Sequence, residues 1–324
     1  MASAPPQVAR HGQAPTGATG LRVRAAAMAS YALLLALWCV ELGVPQQVLE
    51  VLGWLWLATV AWNIRLHPRH HLAFVRDWWL VVLGLLLYVA SRGLSDSLGV
   101  APHFSMPVVF DTWLGGGETP TERLQAAWCG FPCHRHTPAR WYDVALSAVY
   151  LTHFLAALTL AVLLWMRDRA EWVRWMRRYL TISYAALAIY VIYPMAPPWL
   201  AAEDGYLPPG VHRLTSRGWA ELEPAHGIDL ALQRGNEVAA MPSLHTGMAC
   251  LIAFYGIQRL RSPARWLLLA YPVAMATALV YDGEHYVVDV LAGALLAALV
   301  LLGCQLWEAG RREPVSPRSA SPTG

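Results

Sequence analysis

The 324-residue chain contains no lysine, so its formal positive charge rests on 24 arginines. Charge of either sign is scarce. Asp, Glu and Arg make up 14% of the residues, where a soluble domain carries about a quarter. That deficit excludes a water-solvated surface over most of the chain and points to lipid as the solvent. A nucleic-acid partner is excluded as well, because the arginines fall in short clusters beside apolar segments. No internal repeat is present. Also missing are two histidines one turn apart with a glutamate between them, the usual signal of a helical metal-dependent hydrolase. Cysteine is limited to five positions. Cys39, Cys250 and Cys304 lie in apolar segments and read as small packing residues. Cys129 and Cys133 share a polar loop with His134 and His136. That spacing suits a zinc site or a local disulfide, and the disulfide is the simpler expectation for an exported loop.

What is abundant is apolar. Hydrophobic residues make up 56% of the chain, mean hydropathy is +0.38, and there are 16 tryptophans, a residue favoured at bilayer headgroups. Residues 1–21 and 308–324 are polar and without period and read as disordered cytosolic tails. Between them run eight apolar stretches near the ~20 residues a spanning helix needs: 25–44, 46–64, 78–98, 142–166, 179–195, 238–257, 266–282 and 286–306. The first lacks a small-x-small cleavage pattern and reads as an anchor rather than a signal peptide. Arginines 10, 22, 24, 65, 69, 76, 167, 169, 174, 177, 178, 259, 261, 265, 311, 312 and 318 all fall on one side when the stretches alternate direction. The positive-inside rule makes that side the cytoplasm. The expectation is therefore an all-α, polytopic bundle of about eight transmembrane helices in the plasma membrane, both termini cytoplasmic. Residues 22–76 supply two N-terminal helices, and 77–307 form a six-helix core domain. Two long outer loops, about 99–141 and 196–237, are of a length that suits functional lids, and Phe104–Trp113 suits the membrane interface.

Two segments carry chemistry. One runs Ala240-Met241-Pro242-Ser243-Leu244-His245 at the start of the sixth stretch. The other runs Glu284-His285-Tyr286-Val287-Val288-Asp289 at the start of the eighth. Both stretches run inward, so His245, His285 and Asp289 share the outer end. The spacing predicts His285 and Asp289 one turn apart on one helix face. An aspartate there can fix the imidazole tautomer and leave the other nitrogen as a nucleophile toward phosphorus. His245 can protonate the leaving oxygen. Pro242 and Ser243 are expected in a first helical turn whose free N–H groups favour a phosphate.

These segments resemble the second and third signature motifs of the type 2 phosphatidic acid phosphatase superfamily, with the inositol phosphorylceramide synthase-like branch most similar. Tyr193-Pro194-x-Ala196-Pro197-Pro198 upstream adds to the likeness, which covers about 85–305. The resemblance implies a metal-independent phosphotransferase or phosphatase on lipid phosphates, with no cofactor. His285 would become a phosphohistidine, Asp289 would orient it and His245 would act as acid. The transferred unit could be phosphoinositol.

The sequence departs from the superfamily in places. The Ser-Arg pair six to seven positions before the nucleophile is replaced by Ala278 and Leu279, and the first motif's Lys and Arg are missing. Other cations must meet the phosphate, and Arg92, Arg213 and Arg217 are the candidates beside Ser243. Glu284 and Asp282 read as interface residues or acceptors for a substrate hydroxyl. Tyr286 and Trp199 read as interfacial aromatics, His153 as structural, and Ser95 and Asp111 receive no role. The main rival reading is a proton-coupled transporter using the same His/Asp cluster, although such clusters usually sit near the midplane.

Overall fold

The computed structural model describes residues 18–91, 100–130, 133, 137–218 and 237–311. Its helices, in chain order, are α1 (Ala18–Leu42), α2 (Val48–Trp62), α3 (Pro68–Ser91), α4 (Ser105–Leu114), α5 (Pro120–Trp128), α6 (Trp141–Arg167), α7 (Arg169–Ile192), α8 (Pro198–Glu203), α9 (Leu244–Arg259), α10 (Ala270–Tyr281) and α11 (Val287–Gly310). A 3₁₀ segment, Pro263–Leu269, leads directly into α10. Five of these are long and apolar enough to cross a bilayer: α1, α3, α6, the Pro263–Tyr281 segment and α11. With the shorter apolar α2, and with α7 and α9 between them, they make an all-α multi-pass membrane bundle. Among the described residues, each of the eight apolar stretches contains a helix.

Several boundaries differ from expectation; α1 begins at Ala18, within the segment read as a tail, and four other starts have a local reason. α3 begins ten residues early, at Pro68, a residue pre-shaped for a first helical turn. Its early turns are held by a bond from Trp56 Nε1 to the His71 carbonyl and by the stack of Phe74 on Trp78. α7 begins at Arg169 because Asp168 caps it, accepting from the backbone N–H groups of Ala170 and Glu171. α9 begins only at Leu244, since Val238 and Ala240 are occupied in backbone hydrogen bonds to Met195. α11 begins at Val287 with Tyr286 as its cap, so His285 lies just ahead of the helix rather than on it.

One apolar core joins α2, α3, α6, α7, α9 and α11, with Trp78, Trp175, Ile182 and Leu251 buried at its centre. α1 packs on α2 through Tyr31 and Trp38, whose rings meet Trp54 at 5.9 and 5.7 Å. Leu291, Leu295, Leu299, Leu302 and Leu306 form an exposed stripe along α11.

The arginine-rich end is locked by ion pairs. Arg178 is 1% exposed and grips both oxygens of Glu308 at 2.8 and 2.9 Å, tying α7 to α11. Arg177 joins the same carboxylate. Glu171 meets Arg259 and the Tyr255 hydroxyl, tying α7 to α9. Removing one partner of a buried pair leaves the other charge uncompensated. Glu308→Ala is therefore expected to destabilise the bundle by about 3 kcal/mol. A lowered thermal midpoint in detergent, with the activity of the remaining folded protein within twofold, is the expected outcome.

At the other end the connections are knitted together. His103, Met195 and Ala239 lie side by side in parallel, joined by His103 N–H to the Pro194 carbonyl (2.9 Å) and Met195 N–H to the Val238 carbonyl (2.7 Å). Gln125 of α5 clamps two further segments. Its amide donates to the carbonyls of His212 and Tyr281, both at 2.8 Å, and its oxygen accepts from His212 N–H at 3.0 Å. Cys129 and Cys133 are joined in a disulfide, as expected. His134 and His136 lie outside the described residues.

Candidate active site

The site is built on a close approach of two backbones. Small residues let membrane helices come together, and α9 and α11 meet through Gly247 and Gly293. A Cβ on Gly293 would stand 2.2 Å from the Ser243 carbonyl oxygen, and one on Gly247 would stand 3.1 Å from that of Gly293. Ser243 N–H donates to the Asp289 carbonyl at 2.9 Å, and the Tyr190 hydroxyl holds the Pro242 carbonyl at 2.7 Å. Ser243 is fully buried and caps α9, its hydroxyl accepting from Thr246 N–H. Pro242 precedes the helix. The two motifs are thus joined main chain to main chain, and His245 follows one residue inside α9.

His285 reaches its place through a turn that sequence spacing did not reveal. Glu284 and His285 both donate their N–H to the Leu279 carbonyl, at 3.0 and 3.2 Å. Gly283 adopts φ +72°, and a side chain there would meet the His212 carbonyl at 2.8 Å. Nδ1 of His285 lies 3.5 Å from Oδ2 of Asp289, a distance that can tighten when substrate binds. Asp289 is fully buried, and the same oxygen accepts from Tyr286 N–H at 2.9 Å. The rings of His245 and His285 stand 5.8 Å apart, centroid to centroid, at 60°. His285, Asp289 and His245 therefore meet in one place.

Beside them, Glu284 receives Arg213 in a two-point grip, Nε to Oε1 at 2.7 Å and NH2 to Oε2 at 3.2 Å, and the Thr215 hydroxyl donates to it as well. The Arg213 guanidinium also lies 5.1 Å above the Trp199 ring. Burial alone would lower its pKa, but Glu284 outweighs that and the net direction is upward. Burial holds the Asp282 carboxyl well above its ordinary range, reinforced by the negative charge of Glu284. Arg217 sits differently from the expectation of a free phosphate ligand. It is 3% exposed, with Asp143 at 3.4 Å, and it donates to the Pro138 carbonyl at 3.0 Å. The Tyr281 hydroxyl bonds the same Asp143 at 2.6 Å, so Arg217 straps the 205–218 segment to α6 and α10. Arg92 and Ser95 lie outside the described residues.

Three readings gain detail from the structure. His153 of α6, read as structural, packs its ring 4.1 Å from that of His245, which also stacks on Tyr150 at 4.9 Å. The Tyr150-x-x-His153 pair, one turn apart on an otherwise apolar helix, is the signal that could have found it. Tyr286 and Trp199 are buried rather than exposed aromatics, 0% and 9% exposed; Tyr286 packs with Leu207 and Val211, and Trp199 lies under Arg213. Asp111 does have a place, since its carboxylate accepts from Val287 and Val288 N–H at 2.7 and 3.2 Å. A lone acid in the apolar run Pro107-Val108-Val109-Phe110 was its signal. Among the described residues no three His, Cys, Asp or Glu side chains converge to hold a metal ion.

Fold and site together define an integral-membrane helical bundle with two histidines and a supporting aspartate at one end. Residues 126–303, more than half of the chain, match the PAP2 superfamily, and the protein belongs to it. The chain is also similar to the phosphoinositol dihydroceramide synthase of Bacteroides thetaiotaomicron, 29% identical over 195 residues, which take in 55% of this chain and 60% of that one. The chain thus spans about three fifths of that relative's length. No solved structure matches it.

Proposed function

We propose that the protein is a lipid-phosphate phosphotransferase that forms a phosphohistidine at His285 and passes a phosphorylated polyol, phosphoinositol first among candidates, from a phospholipid to a lipid alcohol. The observation that carries this reading is the placement of His285 between Asp289, 3.5 Å from its Nδ1, and the His245 ring 5.8 Å away. Asp289 accepts a hydrogen bond from Nδ1–H, which keeps the proton on Nδ1 and leaves Nε2 with its lone pair. Nε2 attacks phosphorus, the bond to the diacylglycerol oxygen breaks, and His245 protonates that oxygen as it leaves. The hydroxyl of the second lipid then attacks the phosphohistidine, His245 takes its proton, and His285 is regenerated.

Arg213 meets the phosphate charge by exchanging Glu284 for it, a swap suited to its two-point fork. Arg92 adds a second cation, and the N-terminus of α9, kept in shape by Ser243, contributes its dipole. Arg217 acts at one remove by holding the 205–218 segment. The site faces the extracytoplasmic side of the plasma membrane, with both termini inside. The crowding of arginines at the opposite end supports this, and so does the disulfide at the site end, a bond that persists outside the cytosol. The similarity to a phosphoinositol dihydroceramide synthase supports the choice of donor and acceptor.

The test uses purified protein in detergent with EDTA, supplied with phosphatidylinositol and a ceramide, or with phosphatidic acid alone. Inositol phosphate appearing on the ceramide at a rate indifferent to EDTA is the expected result. Release of free phosphate from phosphatidic acid alone would make the protein a hydrolase. Failure with every phospholipid donor, or activity lost to the chelator, would overturn the reading.

A further inference from the structure

Asp111 stands outside the family match and outside the proposed chemistry, yet it is one of the most thoroughly enclosed acids in the molecule. It lies on α4, a helix of ten residues whose other face leaves Val109 and Trp113 67% and 74% exposed, while Asp111 itself is 0% exposed. A buried carboxylate is costly unless it is bonded. This one is bonded across 176 residues of sequence to the first two N–H groups of α11, one through each oxygen.

A helix start leaves four N–H groups without intrahelical partners. In α11 these belong to Tyr286, Val287, Val288 and Asp289. Asp289 accepts the first, and Asp111 accepts the second and third. The division matters because Asp289 has two competing uses. An acidic residue in a first turn is attracted to the free N–H groups and the dipole of its own helix, whereas catalysis needs it beside His285.

We infer that Asp111 is a positioning residue for the nucleophile: by occupying the N–H groups of Val287 and Val288 it leaves Asp289 directed at His285. The reaction it serves is the phosphotransfer proposed above, but its effect on the His285 tautomer is independent of what the substrate is.

The experiment therefore has two readouts in the full-length protein in detergent. In protein carrying ¹⁵N-histidine, the His285 resonances, assigned by their absence in His285→Gln, should report a proton fixed on Nδ1. In Asp111→Asn they should move toward a mixture of tautomers. In the transfer assay Asp111→Asn should lower kcat about tenfold, the scale of a lost helix cap, with KM within twofold. The decisive comparison is the Asp289→Asn background. A residue acting through Asp289 loses its effect there, so the further drop on adding Asp111→Asn should be under twofold. Trp113→Ala, on the outward face of the same helix, should leave kcat unchanged. Unaltered His285 resonances in folded Asp111→Asn protein would overturn the inference, as would an equal drop in both backgrounds. Failure of both Asp111→Asn and Asp111→Glu to fold would do the same, assigning Asp111 to the scaffold alone. A wild-type protein inactive on every lipid, with the resonances still shifting in Asp111→Asn, would count against the phosphotransfer reading and leave the positioning role standing.

Discussion

Replacing His285 with alanine is expected to lower phosphoryl transfer by at least about a thousandfold, because the covalent route loses its only nucleophile. The size of the loss alone would not separate a nucleophile from an acid, since removing His245 should also cost about 10²–10⁴-fold. The leaving group separates them. A phosphodiester with a nitrophenol leaving group departs without needing a proton. His245→Ala should therefore recover most of its first-step rate on that substrate, and His285→Ala should not. The phosphoenzyme gives a second distinction. In His245→Ala a burst of nitrophenol should be followed by slow turnover, as the acceptor hydroxyl has no base, and the trapped phosphate should be acid-labile, as a phosphoramidate is. Equal recovery of both variants on the activated ester would sink the division of roles.

Gly293→Ala should have nearly as large an effect without touching a polar group. The new methyl would stand 2.2 Å from the Ser243 carbonyl oxygen and 3.2 Å from Gly247 N. Both are backbone atoms, so relief requires α9 and α11 to move apart. Overpacking of this kind costs about 1–3 kcal/mol in stability, which a bundle clamped at its far end by Arg178 and Glu308 can absorb. The site cannot absorb it, because a displacement of about 1 Å in a reacting group costs about a hundredfold in rate. Expected, then, is a folded protein with a modestly lowered melting midpoint and an activity loss of about a hundredfold. Gly303→Ala, where the added methyl meets nothing within 4 Å, is the control on the same helix. If Gly293→Ala kept full activity, the main-chain contact would not set the distance between the histidines.

The parts of the molecule legible in its sequence are those written locally. Eight apolar stretches announced eight helices because lipid demands apolar side chains over a known length, and the four-residue gap from His285 to Asp289 placed the two together. Helix starts were less legible, since they depend on partners. α7 runs ten residues into charged sequence because Asp168 caps it there and Glu308 of α11 meets its Arg177 and Arg178, and α9 starts late because Met195 has claimed the preceding backbone. His285 was expected on a helix face and lies before the helix instead. The contacts that escaped altogether are the long-range ones: His153 against His245, Asp111 against the start of α11, and Arg217 against Asp143. No spacing rule links positions 92, 176 or 74 residues apart. Tyr286 was misread because an aromatic beside an apolar run looks the same whether a loop or a bilayer covers it.

The stripe of leucines along α11 has a consequence of its own. The separation of the two histidines depends on main-chain atoms of α9 and α11, while Leu291, Leu295, Leu299 and Leu302 are exposed on the outer surface of α11. That outer surface is a free variable. It could be refitted to a thinner or thicker bilayer, or to another detergent, by exchanging one aliphatic side chain for another. Adaptation to a new host membrane and retention of the chemistry are thus separable tasks in this protein, carried by opposite sides of one helix.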